Sequence, residues 1–127
     1  MEDKIIQKFI ATQLAIKNFR RDKINFEDFK FGYVYNDMLD SIIEQLEKEF
    51  YSLKAKLISS YHIEVMFLGK EENVNRYKIK NKDTEKIIEF TSDELKEMTG
   101  ALMKESLIKY QSFIEWKEHV WEDEGKE

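Results

Sequence analysis

The period of the hydrophobic pattern changes twice along the chain, and this constrains the fold more than any other feature. Between residues 35 and 57, apolar side chains recur at steps of three and four, which places them on one face of a helix. They are Tyr35, Met38, Leu39, Ile42, Leu46, Phe50, Leu53 and Leu57. In the stretch YHIEVMFL (61–68) the period becomes two, which points Ile63, Val65 and Phe67 toward a core. We therefore predict an amphipathic helix over 34–58 and a strand directly after it.

A helix is also predicted near the start of the chain. Residues 3–20 carry apolar side chains at helical spacing. Arg20 and Arg21 supply the positive charge that stabilises a helix C-terminus, so we expect this helix to end there.

The last helix is predicted to begin in the sequence TSDEL. Thr91 or Ser92 can cap it, and Glu94 stands three residues after Thr91, which is the spacing of a capping box. Helical spacing continues to about Trp121. Gly100 lies inside this helix, where we expect it to permit the close approach of another helix or to mark a kink.

Three strand candidates lie between these helices, and charge pairing indicates how they align. A tight turn between the second and third strands places Arg76 opposite Glu89, whereas a five-residue loop at 69–73 places Glu64 opposite Lys78. In both hairpins, opposite charges then meet on one face and apolar residues on the other. We predict an antiparallel meander of strands 61–68, 74–81 and 84–91.

The predicted order of elements is helix, helix, three strands, helix. A small sheet with one apolar face needs a covering layer, and the long helices provide it. The sequence therefore predicts an α+β fold: two N-terminal helices, a three-stranded antiparallel β-meander and a long C-terminal helix in two-layer packing. Because 127 residues is the usual size of one domain, we expect a single domain over 1–127, with a frayed acidic end at about 122–127.

Five of the 17 aromatic residues fall within ten positions of the stretch NFEDFKFGYVYND. Burying one such side chain contributes about 1.5–3 kcal/mol, so leaving all five in water would forfeit a large part of a domain's stability. We predict that most of them, including Phe26, Phe29 and Phe31, fill the core between the helices and the sheet. Tyr33 and Tyr35 are placed at its rim, where their hydroxyl groups stay available to a partner.

Composition indicates the cellular compartment. The chain has no cysteine, which excludes disulfides and thiolate chemistry and is typical of a reducing cytoplasm. Its first residues are acidic and lack a long apolar run, so no signal peptide is predicted. Lysine outnumbers arginine 18 to 3, a bias typical of AT-rich genomes such as those of low-GC bacteria and their phages. We expect a cytoplasmic protein.

Motifs for catalysis or cofactor binding are missing from the sequence. The four glycines are isolated, so there is no phosphate-binding loop, and no Gly-x-Ser-x-Gly elbow is present. We expect no enzymatic activity and no cofactor. Of the two histidines, His62 is interpreted as an ordinary surface residue of the first strand. His119 shares a helical face with Glu115 and Asp123, a set that can bind a divalent metal, although an acidic chain end produces such triplets by chance.

A basic strand face is the first candidate interaction surface. Arg76, Lys78, Lys80 and Lys82 line one side of the second strand, and a basic sheet with aromatic residues can bind single-stranded nucleic acid. The predicted pairing places glutamates opposite these cations and turns Tyr77 to the other face. The net charge of −5 also opposes a polyanionic partner.

An acidic C-terminal segment is the second candidate. Residues 115–127 contain six acidic residues and two lysines, which is a net charge of −4. Trp116 and Trp121 lie among these acids, and tryptophan is over-represented at binding hot spots. The segment can therefore contact a basic protein surface, or it can be a solvated chain end.

We hypothesise that the protein is a small cytoplasmic, non-enzymatic factor that acts by binding another protein. A regulator, an inhibitor or an accessory factor fits this description, and the composition suits an origin in a phage or a mobile element. The 34–58 stripe is wider than a small sheet can cover, so we also expect a homodimer. The alternative function is a nucleic-acid-associated module that uses the basic strand face 76–82.

Overall fold

The computed structural model describes the backbone of residues 2–26 and 32–124, and the side chains of residues 3–25 and 35–110. Three helices and three strands follow one another as α1 (Glu2–Phe26), α2 (Gly32–Tyr61), β1 (Ile63–Glu71), β2 (Val74–Asn81), β3 (Thr84–Thr91) and α3 (Ser92–Glu124). This order confirms the predicted α+β fold with an antiparallel meander. Within the described ranges, none of the helices is long and apolar enough to cross a membrane.

The β2–β3 hairpin has the register that charge pairing predicts. Arg76 lies opposite Glu89, and Lys80 lies opposite Glu85. The connecting turn has two residues, Lys82 and Asp83. Lys82 has a φ of 40°, a value that residues other than glycine seldom adopt. The tight hairpin therefore forms without the Asn-Gly sequence that such turns favour.

The predicted register of the β1–β2 hairpin is wrong by two residues. Glu64 lies opposite Lys80 rather than Lys78, because β1 continues to Glu71 and leaves a two-residue turn in place of a five-residue loop. The extra length is absorbed by a β-bulge at Leu68, where the register shifts. A slip of two residues keeps every side chain on its predicted face, since the side-chain period of a strand is two.

Helix α1 continues six residues beyond its predicted end at residue 20. Arg20, one of the two cations that suggested a C-terminus, forms a lateral ion pair with Glu47 of α2 instead, and Lys23 pairs with Asp40 of the same helix. Their positive charge therefore joins two helices, and it does not mark the end of the first.

Two apolar clusters form the described core. The first lies between the sheet and parts of all three helices, and its buried members are Ile6, Phe9, Ile10, Leu57, Ile63, Tyr77, Ile79, Phe90 and Leu95. The second lies among the helices, away from the sheet, and contains Ala15, Ile16, Phe19, Leu39, Ile42, Ile43 and Leu46. Much of the 34–58 stripe is thus buried against α1, so the apolar surface that suggested a homodimer is largely used inside the chain.

Helix α2 ends, and helix α3 begins, at residues whose backbone conformation or hydrogen bonds are typical of helix ends. His62 has a φ of 56° and lies between α2 and β1, so its predicted place on a strand is wrong; it adopts the left-handed conformation that commonly ends a helix. At the start of α3, Glu94 N–H donates to Thr91 Oγ1 at 3.1 Å and Thr91 N–H donates to Glu94 Oε1 at 3.4 Å. This reciprocal pair confirms the predicted capping box.

Gly100 does not permit the close approach of another helix, which was the first of its two predicted roles. It is exposed on α3, and a Cβ atom added to it would have no heavy-atom neighbour within 4 Å. No helix in the described part of the chain approaches it closely, so the absence of a side chain serves no packing purpose there.

Candidate functional site

One large aromatic side chain on the helix-covered face of the sheet is not covered. Phe67 lies on the edge strand β1, and its ring centroid is 5.2 Å from that of Tyr77 on β2. Tyr77 is 5% exposed, whereas Phe67 is 57% exposed. The helices therefore bury the centre of this face and leave its β1 edge open at Phe67, whereas Ile63 of the same strand is buried.

The uncovered edge forms one wall of a groove. Its other walls come from α1, through Gln13 and Lys17, and from α2, through Phe50 and Tyr51. The main cavity has a volume of about 680 Å³, and a hollow of about 270 Å³ continues it along β1 toward the end of α2. We call this surface the aromatic groove; both parts share the lining residues Gln13, Phe50, Phe67 and Tyr77.

The base of the aromatic groove consists of rings that contact one another. Phe50 stacks on Phe9 with centroids 4.8 Å apart and meets the ring of Tyr51 edge-on at 5.6 Å. Tyr77 contacts Phe90 edge-on at 6.1 Å, and burial raises the pKa of its phenol. Each contact holds a ring in place, so the base is preformed, while Tyr51 remains 64% exposed at the border.

The β-bulge decides which charge reaches the aromatic groove. Phe67 lies opposite Tyr77 and Lys70 lies opposite Asn75, and these two β2 residues share a face. Residues three positions apart in a regular strand point to opposite faces, but the extra residue Leu68 cancels that alternation. Phe67 and Lys70 therefore lie on the same face, and both line the groove.

The border of the aromatic groove carries an excess of positive charge. Arg20 and Glu47 lie on it and neutralise each other as an ion pair. Lys17, Lys54 and Lys70 also line it, and no carboxylate among the described side chains lies within 4.0 Å of their ammonium nitrogens.

The opposite face of the sheet carries the predicted basic strand. Arg76 donates hydrogen bonds to Glu71 at 2.7 Å and to Glu89 at 3.1 Å, and these bonds, Glu71 first, raise the pKa of its guanidinium. Lys78 pairs with Glu85 at 3.3 Å. Two of the four cations proposed to contact nucleic acid are thus held by carboxylates.

The other two cations of this strand, Lys80 and Lys82, are exposed and form no ion pair with any side chain in the described ranges. Tyr77 is buried on the helix-covered face. The structure therefore brings no aromatic residue of β2 onto the basic face.

Of the predicted partner-binding residues, one is described. Tyr35 lies on the first turns of α2 and is 45% exposed. Tyr33, Trp116 and Trp121 lie outside the described side chains, as do Phe26, Phe29 and Phe31. Also outside the described side chains are those of the predicted metal set, Glu115, His119 and Asp123, and those of the predicted frayed end, 122–127. Among residues 3–25 and 35–110, no group of three metal-ligating side chains is present.

A second cleft, of about 460 Å³, lies between α2 and α3. Its apolar members are Ile42, Leu46 and Leu102, and Lys109 and Glu105 form an ion pair on its border at 3.1 Å. Ile42 and Leu46 are buried in the helical core, so this cleft presents less exposed apolar surface than the aromatic groove.

Sequence reasoning missed the main residues of the aromatic groove. Phe67 was assigned to the core by its alternation with Val65, and its face is correct, but its burial is not. Tyr51 offered a signal: it lies outside the apolar stripe of its helix, among charged residues. A single exposed aromatic side chain is common on protein surfaces, so this signal alone could not have located the groove.

Comparison with known proteins gives one positive result. No curated protein and no solved structure matches the chain. The family described as YhjD protein matches residues 1–110, a range that contains all six elements up to the middle of α3 and every residue of the aromatic groove. The chain therefore belongs to the YhjD protein family.

Proposed function

We propose that this protein is a non-enzymatic cytoplasmic factor that binds another protein in the aromatic groove. The observation that carries the proposal is the exposure of Phe67 and Tyr51 beside a buried, preformed aromatic base. An exposed aromatic ring next to a concave apolar surface is the usual composition of a binding hot spot. Full burial of such a ring contributes about 1.5–3 kcal/mol. Because more than half of each residue is exposed, a partner that covers both recovers a corresponding part of that free energy.

The groove suits a macromolecular segment better than a metabolite. It is open at Phe67 on the β1 edge, and its polar members are charged side chains, Gln13 and Asn75, whose amide nitrogen already donates to Phe90 O and Ser92 Oγ. Small-molecule sites instead converge several fixed polar groups on an enclosed cavity. A helix or an extended segment of a partner can lie along it and place apolar side chains on the aromatic base.

Matched affinity purification tests this proposal. The baits are the wild-type chain, Phe67→Ser in the groove, and Ile87→Ser on the opposite sheet face, where a similarly exposed apolar residue lies. Extracts come from cells that encode the chain, and mass spectrometry identifies the retained proteins. We expect at least one protein to be retained by the wild type and by Ile87→Ser and to be lost from Phe67→Ser. Equal retention by all three folded baits would remove the groove as the binding site.

A further inference from the structure

The charge of the aromatic groove is opposite to that of the chain as a whole. The groove border carries Lys17, Lys54 and Lys70 without carboxylate partners among the described side chains, and a single unpaired carboxylate, that of Glu64. The chain has a net charge of −5. An apolar base with a positive border selects a segment that combines apolar side chains with negative charge.

One segment of this same chain has that composition. Residues 115–127 carry six acidic residues and two lysines, together with Trp116 and Trp121. Tryptophan supplies the large apolar ring that an aromatic base accommodates, and the acids supply the charge that the lysines lack.

The segment cannot reach the groove of its own chain while α3 is intact. Leu95, on the first turn of α3, borders the groove, and α3 runs without interruption from Ser92 to Glu124. A helix rises about 1.5 Å per residue, so the backbone of Trp116 lies about 30 Å along the helix from Leu95. Only the segment of another molecule can occupy the groove without unfolding α3.

We propose that the acidic segment 115–127 of one molecule binds in the aromatic groove of a second copy. This inference rests on the proposed function and names the partner as a second copy of the chain. Two reciprocal contacts of this kind close a dimer. The lysines of the groove border align the segment, and one of its two tryptophans covers Phe67 and Tyr51, because residues five positions apart on a helix face about 140° apart.

A charge-reversal exchange in the full-length chain tests the contact. The first variant reverses the groove (Lys17→Glu and Lys70→Glu), and the second reverses the segment (Glu122→Lys, Asp123→Lys and Glu124→Lys). All five positions are charged, and the two lysines are exposed, so circular dichroism melting should show that both variants fold. Light scattering then measures mass against the monomer value of 15.4 kDa.

We expect the wild type to approach twice the monomer mass at micromolar concentration, and each variant alone to self-associate at least about tenfold more weakly. An equimolar mixture of the two variants should recover the dimer, because the reversed segment faces the reversed groove and the native segment faces the native groove. Lys104→Glu with Lys109→Glu, reversed on α3 away from the groove, should dimerise like the wild type.

The outcomes separate this inference from the function on which it rests. If the wild type stays at the monomer mass while Phe67→Ser loses a partner in the affinity experiment, the groove binds a different protein and the self-contact is wrong. If the variants dimerise like the wild type, or their mixture fails to recover the dimer, the segment does not occupy the groove.

Discussion

Arg76 Nε donates a hydrogen bond to Glu89 Oε1 at 3.1 Å across the β2–β3 hairpin. The same guanidinium also binds Glu71 at the end of β1, so one side chain joins all three strands on the solvent face of the sheet. The β2–β3 contact is the one that the register derived from charge patterning requires.

Exchanging the two charges tests that register. Arg76→Glu and Glu89→Arg should each lower the free energy of unfolding slightly, because each places like charges opposite each other. The double variant should recover part of the loss. A double-mutant cycle from urea unfolding measures the coupling, and the cycle should be repeated in Glu71→Gln, which removes the second carboxylate. Zero coupling in both backgrounds would contradict the pairing.

Substituting alanine at two of the glycines should change the free energy of unfolding in opposite directions. Gly100→Ala should raise the free energy of unfolding by about 1 kcal/mol, because an exposed helix-interior glycine loses backbone entropy without a packing benefit. Gly69→Ala should lower it by about 1–3 kcal/mol, because its φ of +139° strains any residue with a Cβ. Neither added Cβ meets an atom within 4 Å, so the contrast isolates the backbone term. Thermal unfolding of both variants measures it.

Aromatic residues in the core and in the groove should differ strongly in their contribution to stability. Phe19 is 2% exposed in the helical core, and Phe19→Ala should destabilise by about 3–5 kcal/mol. Phe67→Ala should cost about 1 kcal/mol or less, because most of its ring is already in water. Urea unfolding of the two variants compares them, and a similar loss in both would mean that Phe67 is structural.

The stretch NFEDFKFGYVYND can be tested in the same assay. If Phe26, Phe29 and Phe31 are buried as predicted, each alanine variant should lose about 3–5 kcal/mol, like Phe19→Ala. Tyr33→Ala and Tyr35→Ala should lose less. Wild-type melting temperatures in all five variants would show that the stretch is not part of the core.

The free energy of unfolding should fall at alkaline pH because the Tyr77 phenol loses its proton. Burial raises the pKa of its phenol in the folded chain, whereas the unfolded chain releases this proton near the ordinary value of about 10. Above about pH 10 the folded state therefore binds more protons than the unfolded state. The stability that the neutral phenol contributes is complete below about pH 10 and is lost as the pH rises toward the folded pKa. Urea unfolding from pH 8 upward should show a steeper loss for the wild type than for Tyr77→Phe, which keeps the ring and lacks the proton.

The sequence predicts the parts of this fold that follow from local pattern and misses those that depend on the neighbours of a residue. The α2 stripe and the β2–β3 register are correct because period and charge define them. The β1–β2 register is wrong because β1 continues to Glu71 around a two-residue turn. The bulge that absorbs the extra length has no sequence signal, since the side chain of Leu68 resembles that of any other strand residue. Arg20 indicated a helix end because its partner Glu47 is 27 residues away.

The groove was missed for a related reason. Alternation specifies the face of the sheet to which Phe67 belongs, and that prediction is right. Whether a helix covers that face depends on how three helices of 25, 30 and 33 residues cross a sheet of three strands. Such helices extend beyond a three-stranded sheet. No local sequence pattern indicates which part of the sheet the helices leave uncovered.

Because of the bulge at Leu68, the number of residues in β1 determines which of its side chains face the groove. Deleting this one residue would restore regular alternation and leave Phe67 and Lys70 two positions apart on the same face, opposite Tyr77 and Asn75, so the groove would keep its cation without the bulge. A one-residue gap at this position in another member of the family is therefore expected to conserve the charge at the groove, whereas a β1 strand of the same length without a bulge would turn the residue at position 70 to the solvent face. When such sequences are compared, the length of β1 should be examined before the identity of its residues.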